Sequence, residues 1–216
     1  MPTGHGPHND GSGIAWLEGD NLRLEKRGAT DVWNESFQDL VRSIQTTALI
    51  AHNRSASPGL DVNVTVSHPY IMKFQSEEIA FCHNGGIRTF MTEAQDRKIT
   101  DSLIFLERLI QKVGSLTLPD LKMFLTEASA TWEYSSMNAL LLTKDNIFAW
   151  RCYHDAKEST WDRERYCSLY VRETAERICI ASEPIDRKRN WETIPNRTII
   201  QIPLGGDSVK TIRTQL

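Results

Sequence analysis

The stretch that decides the fold is Phe81-Cys82-His83-Asn84-Gly85-Gly86-Ile87, in which a short apolar run stops at a polar turn. The run begins at Ile79, and an apolar run of this length bounded by turn residues is typical of a buried strand. Asn-Gly is a turn signal because both residues tolerate positive φ. Such a turn can leave the Asn84 amide and the Gly85 N–H pointing into a cleft, as the donors that an oxyanion needs. An isolated Asn-Gly is more often a simple strand-ending turn, so the surrounding sequence has to decide between the two interpretations.

The amino-acid composition is that of a globular protein, because the 216 residues are 40% hydrophobic and 25% charged. We expect one domain spanning residues 1–216. The net charge of -3 and the lack of a long apolar run predict neither a nucleic-acid partner nor a membrane partner. The first residues have no basic n-region and no apolar h-region, which favours a cytoplasmic protein. The four cysteines lack C-x-x-C spacing, which favours buried thiols over disulfides or zinc; they are Cys82, Cys152, Cys167 and Cys179.

Before the organising stretch, the pattern predicts a glycine-rich loop over 4–13 and a hairpin of strands over 14–17 and 22–26. Apolar residues at helical spacing then predict a helix over 37–44, with Asn34 or Ser36 as N-cap. A short buried strand follows over 48–51. Val62, Val64 and Val66 alternate with polar residues until Ser67-His68-Pro69 breaks the pattern.

After the organising stretch, residues 88–98 look like a loop. A helix is predicted from Thr100 or Asp101 to about residue 113, and another from residue 118 to about 132. Strands are predicted over 138–142, 147–152, 167–171, 177–181 and 198–202, and the chain is expected to end in a frayed polar tail after residue 205. Antiparallel strand pairs with three helices predict an α+β fold in stacked layers.

Three polar residues invite more than one interpretation. Arg54 follows a buried strand, so either an internal carboxylate or a ligand carboxylate should pair with it. His68 precedes a proline, which holds it extended and favours a structural role. Asp101 either caps its helix or presents a carboxylate to a ligand ammonium.

His5, His8 and Asp10 could bind a metal ion, but no fourth ligand is visible at usable spacing, so a loop lining a cleft is favoured.

Six short segments match known motifs, in the right order along the chain. They are Gly6-Pro7-His8-Asn9-Asp10-Gly11-Ser12-Gly13-Ile14, Ala51-His52-Asn53-Arg54, Ser67-His68-Pro69, His83-Asn84-Gly85, Thr100-Asp101-Ser102 and Ala181-Ser182-Glu183-Pro184. Together they resemble the class II glutamine amidotransferases of the N-terminal-nucleophile hydrolase superfamily, in particular the stand-alone YafJ-like branch. Ser12 stands where that branch usually has Trp. Each segment alone is weak, but the ordered set covers nearly the whole chain.

The resemblance implies an α+β fold of four layers, the αββα sandwich. It also implies hydrolysis of a glutamine-like side-chain amide through a thioester, which yields glutamate and ammonia. By motif match, Arg54 would hold the substrate α-carboxylate and Asp101 its α-ammonium. Asn84 and Gly85 would form the oxyanion hole. His68 and His83 are expected to line the substrate site.

The nucleophile of the resembled family is not found in its expected place. It is a cysteine at the mature N-terminus, on a first strand upstream of the glycine-rich segment, and its own α-amino group acts as base. Here Met1-Pro2-Thr3 precedes that segment, so we expect the first strand to be missing. Cys82 adjoins the oxyanion motif but lies within a predicted strand, which favours a buried thiol. Thr3 is followed by a loop and is a poor substitute.

Two explanations stay open at this point. In the first, the given sequence starts too late and the full-length protein is an enzyme. In the second, the chain is a catalytically inactive module that binds a γ-glutamyl ligand or serves as a scaffold. The presence of Arg54, Asn84, Gly85 and Asp101 favours the first. The expected ligand is glutamine, a γ-glutamyl peptide or a γ-glutamyl thiol conjugate, with an ammonia-accepting synthase subunit as a further candidate partner. No metal ion and no organic cofactor are expected.

Overall fold

A computed structural model describes residues 8–28, 34–56, 62–154, 163–187, 190–205 and 210–216. The chain divides into two compact units, Met1–Cys82 with Leu141–Lys144 and His83–Leu140 with Asp145–Leu216. Both contain antiparallel strands and helices, so the predicted α+β class is confirmed. Within the described ranges, no helix is both long and apolar enough to cross a membrane.

The first unit contains a three-stranded antiparallel sheet in the order β2-β1-β3. Its strands are β1 (Gly11–Glu18), β2 (Asn21–Gly28) and β3 (Leu49–Arg54). The predicted hairpin is confirmed by the pairing of Leu17 with Leu22. The prediction of a loop over 4–13 is wrong at its end, because residues 11–13 already pair with β2 and β3. Residues 4–7 lie outside the described part of the chain.

Helix α1 (Glu35–Ser43) is capped as predicted, because the Asn34 side chain accepts a hydrogen bond from the Phe37 N–H at 2.9 Å. Strands β4 (Tyr70–Phe74) and β5 (Glu77–Asn84) form an antiparallel hairpin. The apolar run Ile79–Cys82 of β5 is buried, as its composition predicted. The boundary between the two units falls inside this strand, directly after the run.

The second unit carries the principal helices. A 3-10 turn (Arg88–Phe90) leads into α2 (Met91–Arg97), followed by α3 (Asp101–Lys112) and α4 (Leu118–Thr131). The last two were predicted from their caps and apolar spacing. The prediction of a loop over 88–98 is wrong, because α2 forms within that range. The sequence did not indicate this helix because α2 lacks a long apolar stripe and is held by polar contacts. Arg97 bonds to Glu93 one turn before it and to Glu107 of α3.

The strands that follow α4 form two groups. One has the order β12-β11-β7-β6 and the other the order β10-β8-β9. Their bounds are β6 Asn138–Leu142, β7 Asn146–Arg151, β8 Tyr170–Glu173, β9 Ile178–Ala181, β10 Glu192–Thr193, β11 Thr198–Pro203 and β12 Ile212–Gln215. A one-turn helix, α5 (Arg163–Tyr166), precedes β8.

Two strand predictions need correction. The strand predicted from Cys167 begins only at Tyr170. The backbone before Tyr170 is used as a hydrogen-bond acceptor by side chains, because the Cys167 carbonyl accepts bonds from Arg151 and Asn138. The frayed tail predicted after residue 205 is wrong for residues 212–215, which form β12 and pair with β11.

Candidate active site

The turn after β5 separates two buried side chains and exposes the residues between them. His83 and Ile87 are buried, whereas Asn84 and Gly85 are exposed. The buried neighbours anchor the chain on both sides because moving either would expose apolar or desolvated groups. The turn therefore presents the Asn84 side chain and the backbone at Gly85 from a fixed support.

Gly85 is required at its position for two reasons. Its φ is +148°, in a region that side-chain-bearing residues rarely adopt. A Cβ built there would lie 1.9 Å from the Ser136 carbonyl oxygen, far inside van der Waals contact. The Asn-Gly pair is thus a specific close approach of two backbone segments, which is more than a strand-ending turn requires.

Hydrogen bonds tie this turn to the segment of Ser135 and Ser136, about fifty residues later in the chain. The Ser136 hydroxyl donates to the Asn84 carbonyl at 3.1 Å. The Ser135 N–H donates to the Gly86 carbonyl at 2.8 Å, and the Gly86 N–H donates to the Ser135 hydroxyl at 3.0 Å. The bond from Ser136 is part-buried, and together the three bonds hold the peptide planes of the turn in one orientation.

Asp101 reaches the same turn from the first residue of α3. Its Oδ2 accepts the Ile87 N–H at 2.7 Å. The cap of α3 is Thr100, whose side chain accepts the Leu103 N–H at 3.1 Å, so of the two predicted capping candidates Thr100 is the correct one. The carboxylate lies where the positive end of the helix dipole favours negative charge. Oδ1 is not needed for the bond to Ile87.

His83 is almost completely buried, and both of its ring nitrogens bond to protein atoms. Nε2 donates to the Ser136 carbonyl at 3.1 Å, so in the neutral ring Nδ1 is the acceptor for the Ser102 hydroxyl at 2.8 Å. Burial lowers the pKa of His83, although nearby Asp101 and the bond to Ser136 act in the opposite direction. A substrate contact by His83 would require one of these bonds to be exchanged.

In the first unit, three of the six motif segments pack against one another. β1 and β3 pair so that Gly11 faces Arg54 and Gly13 faces His52. A Cβ at Gly11 would lie 2.1 Å from the Ser67 hydroxyl, and one at Gly13 would lie 2.3 Å from the His68 carbonyl. The glycines therefore make room for the loop that follows residue 66.

Arg54 and His68 are both buried in this unit. The His68 ring packs edge-on against His52 at 4.4 Å and against Tyr70 at 4.7 Å between centroids. The bond between His68 and Pro69 is cis. The Arg54 carbonyl accepts the Asp10 N–H at 3.1 Å, which fixes the end of β3.

Two of the three residues considered as metal ligands, His8 and Asp10, bond to backbone groups. His8 Nδ1 donates to the Asn53 carbonyl at 3.3 Å, and Asp10 Oδ2 accepts the Ala56 N–H at 2.7 Å. Among the described residues there is no group of three or more His, Cys, Asp or Glu side chains placed to hold a metal ion. His5 lies outside those residues.

The predicted site residues thus fall into two sets. His83, Asn84, Gly85 and Asp101 come together in the second unit, and Arg54 and His68 lie in the first. That the two sets converge on one ligand stays a prediction. The sequence-based prediction did not include Ser136 or give Ser102 a role: Ser102 could have been noticed within its Thr-Asp-Ser motif, but nothing local marks Ser136.

Three of the four cysteines are buried, which disfavours nucleophilic attack by their thiols. Cys82, Cys152 and Cys167 are buried, and Cys179 is partly buried. Burial raises the pKa of the Cys82 thiol, so the reactive thiolate is scarce at neutral pH. The Cys152 sulfur lies 3.6 Å from the Tyr134 hydroxyl, and burial raises the pKa of that thiol as well. The expected burial of the Cys82 thiol is confirmed.

Comparison with known proteins gives consistent results. Residues 2–160 match the family "Glutamine amidotransferases class-II". Gamma-glutamyl-hercynylcysteine sulfoxide hydrolase of Mycobacterium tuberculosis is 23% identical over 206 residues, which cover 94% of this chain and 79% of that protein. The chain also spans 28% of a Haemophilus influenzae relative, to which it is 31% identical over 83 residues.

Solved structures show the same fold. A class II glutamine aminotransferase domain protein from Silicibacter pomeroyi aligns with a TM-score of 0.66 at 16% identity, over 95% of this chain and 92% of that chain. Glutamine phosphoribosylpyrophosphate amidotransferase of B. subtilis aligns with a TM-score of 0.65 at 16% identity, over 96% of this chain but only 44% of that chain. This likeness confirms the predicted α+β fold of glutamine amidotransferases. The chain belongs to the class II glutamine amidotransferases.

Proposed function

We propose that this protein binds the amino-acid head group of glutamine or of a γ-glutamyl compound and hydrogen-bonds its γ-carbonyl oxygen through Asn84 and Gly85. The observation that carries the proposal is the exposed Asn84-Gly85 turn, held by Ser136 on one side and by Asp101 on the other. Donors fixed before the ligand arrives lose little entropy on binding and can stabilise a developing oxyanion.

The head group would be held by opposite charges. Asp101 lies at a rigid helix start, beside the turn, and offers a carboxylate for the α-ammonium. Arg54, at the end of β3, would hold the α-carboxylate through two parallel hydrogen bonds. His68 is proposed to line the site beside Arg54. His83 is proposed to support the turn through its hydrogen bonds to Ser136 and Ser102. A charge-assisted bond of this kind contributes roughly 1.5–3 kcal/mol.

The reaction would be hydrolysis of the γ-amide through a cysteine thioester. It needs a cysteine with a free α-amino group, which none of the four internal cysteines provides. The oxyanion hole would act on the tetrahedral intermediates before and after the thioester, where losing one donor typically costs about 10²–10³ in rate. The name of the M. tuberculosis relative supports a γ-glutamyl compound as substrate alongside glutamine.

The binding claim can be tested by isothermal titration with a matched set of ligands and variants. L-Glutamine should bind the wild-type chain, and Arg54→Ala should weaken it by roughly 10-fold or more, as expected for one charged hydrogen-bonding group. 4-Carbamoylbutanoate, which lacks the α-ammonium, should bind more weakly than glutamine to the wild type. Asp101→Asn keeps an oxygen to accept the Ile87 N–H and should remove that difference between the two ligands.

The control is Arg42→Ala, which removes an exposed arginine of the same unit as Arg54 from a surface pair with Asp39. It should leave glutamine affinity unchanged. If Arg54→Ala binds glutamine as tightly as Arg42→Ala does, the assignment of Arg54 to the α-carboxylate is wrong.

A catalytically inactive binding or scaffold module is the second candidate, and the burial of Cys82, Cys152 and Cys167 favours it for residues 1–216. Ammonia release from glutamine by this chain, compared with a form extended by any in-frame upstream Met-Cys segment, separates the two candidates. Release only by an extended form supports the enzyme. We also propose a separate ammonia-accepting synthase subunit, and pull-down with and without glutamine would test that partnership.

A further inference from the structure

Since the proposed oxyanion hole uses the Gly85 N–H, the orientation of the Asn84–Gly85 peptide decides whether the hole exists. In a trans peptide the carbonyl and the N–H point in opposite directions. The Asn84 carbonyl accepts the Ser136 hydroxyl at 3.1 Å, and Ser136 is buried. The Gly85 N–H on the other side of the peptide plane must then point away from Ser136, and Gly85 is exposed.

We propose that Ser136 is a positioning residue that aims the Gly85 N–H at the ligand by holding the Asn84 carbonyl. Without that bond, glycine at residue 85 would permit the peptide to rotate, because glycine lacks the steric restriction of other residues. A rotation that turned the carbonyl outward would put the oxygen's partial negative charge where the ligand oxygen should bind.

Ser136 is itself held on both sides. Its carbonyl accepts the His83 Nε2–H at 3.1 Å, and its hydroxyl oxygen accepts the Asn138 N–H at 3.2 Å. A hydroxyl can donate one bond and accept others, so the bond from Asn138 leaves its proton for Asn84. His83 in turn bonds to Ser102 of α3 at 2.8 Å. The Ser136 hydroxyl, which orients the Gly85 N–H, is therefore held by Asn138 of β6 and, through His83, by Ser102 of α3.

The inference rests on the proposed function only for what the aimed N–H binds. The orientation itself can be measured without ligand, by residual dipolar coupling of the Gly85 N–H in ¹⁵N-labelled, weakly aligned protein. Ser136→Ala should change the Gly85 coupling while the couplings within β7 and α3 stay at their wild-type values. Ser135→Ala is the matched control, because it removes a neighbouring hydroxyl that bonds to Gly86 and does not touch the Asn84 carbonyl.

Titration with L-glutamine adds the functional measurement. Loss of one oriented donor should weaken binding to Ser136→Ala by roughly 2- to 12-fold, the range for a single net hydrogen bond. If Ser136→Ala does not fold, Ser136→Cys replaces the hydroxyl with a weak thiol donor at nearly the same place, and a smaller change in the same coupling is expected.

An unchanged Gly85 coupling in the folded Ser136 variant overturns the inference, even if glutamine binds. Equal changes in Ser136→Ala and Ser135→Ala also overturn it, because they would indicate general loosening of the turn. A changed coupling with no glutamine binding by the wild type keeps Ser136 as the positioning residue and instead refutes the proposed function. The two claims therefore fail separately.

Discussion

Replacing Gly85 by alanine is the most direct test of how the turn is built. The new Cβ would lie 1.9 Å from the Ser136 carbonyl oxygen, whereas real Cβ contacts are essentially never below 3.0 Å. One of the two backbones must therefore move by about 1.1 Å. Alanine would also have to adopt a φ of +148°, or the turn would have to change shape.

These two costs are of different kinds. Backbone strain of a non-glycine residue in a rare region costs about 1–3 kcal/mol. Overpacking a tight contact costs about 1–3 kcal/mol more. We expect Gly85→Ala to lower the free energy of unfolding by about 2–6 kcal/mol in total, a large share of the roughly 5–15 kcal/mol typical of a folded domain.

Equilibrium urea unfolding, followed by tryptophan fluorescence and circular dichroism, measures this loss. Gly19→Ala is the matched control, because Gly19 also has positive φ, at +61°, but a Cβ there meets nothing within 4 Å. It should show the backbone strain alone, so its loss should be clearly smaller. If Gly85→Ala costs no more than Gly19→Ala, the close approach of Gly85 to Ser136 is not a real constraint.

Three further predictions concern stability and reactivity. Burial lowers the pKa of His83, so the unfolded chain binds a proton at this residue more readily than the folded chain does. The free energy of unfolding should therefore fall as the pH drops below about 6.5, with a slope of at most about 1.4 kcal/mol per pH unit. Urea unfolding between pH 5 and 8 measures this slope, which should be smaller for His83→Gln. Asp186 pairs with buried Arg172, so Asp186→Ala should cost about 1–3 kcal/mol in thermal unfolding, whereas Asp39→Ala, in an exposed pair, should cost at most about 1 kcal/mol. Burial raises the pKa of the Cys82 thiol, so iodoacetamide should leave Cys82 unmodified in the native protein and modify it in urea, as peptide mass spectrometry would report.

Each of these has a clear contrary outcome. Equal pH slopes for the wild type and His83→Gln would mean that His83 does not titrate below its ordinary pKa in the fold. Equal losses at Asp186 and Asp39 would mean that burial of Arg172 adds nothing to its pair. Rapid native labelling of Cys82 would contradict the packing of β5.

Several elements could be predicted because their signals act over a few residues. Asn34 and Thr100 cap helices by bonding to an N–H three residues ahead, and Pro119 stands in the first turn of α4. The apolar run of β5 stops at Asn-Gly, where the structure turns. Alternation alone was less informative: Val62 and Val64 form no strand, because the Asn63 side chain accepts the N–H groups of Thr65 and Val66 and closes a local turn.

The amino-acid sequence by itself determined the caps, the buried run and the residue types at the turn, since each depends on hydrogen bonds and sterics between near neighbours. Only the tertiary structure decided α2, β12 and the hydrogen bond between Ser136 and Asn84. In these cases the partners are distant in sequence: Arg97 needs Glu107, residue 215 pairs with Thr198, and Asn84 meets a hydroxyl about fifty residues away. Chain folding brings such groups within bonding distance, and no local pattern records that they will meet.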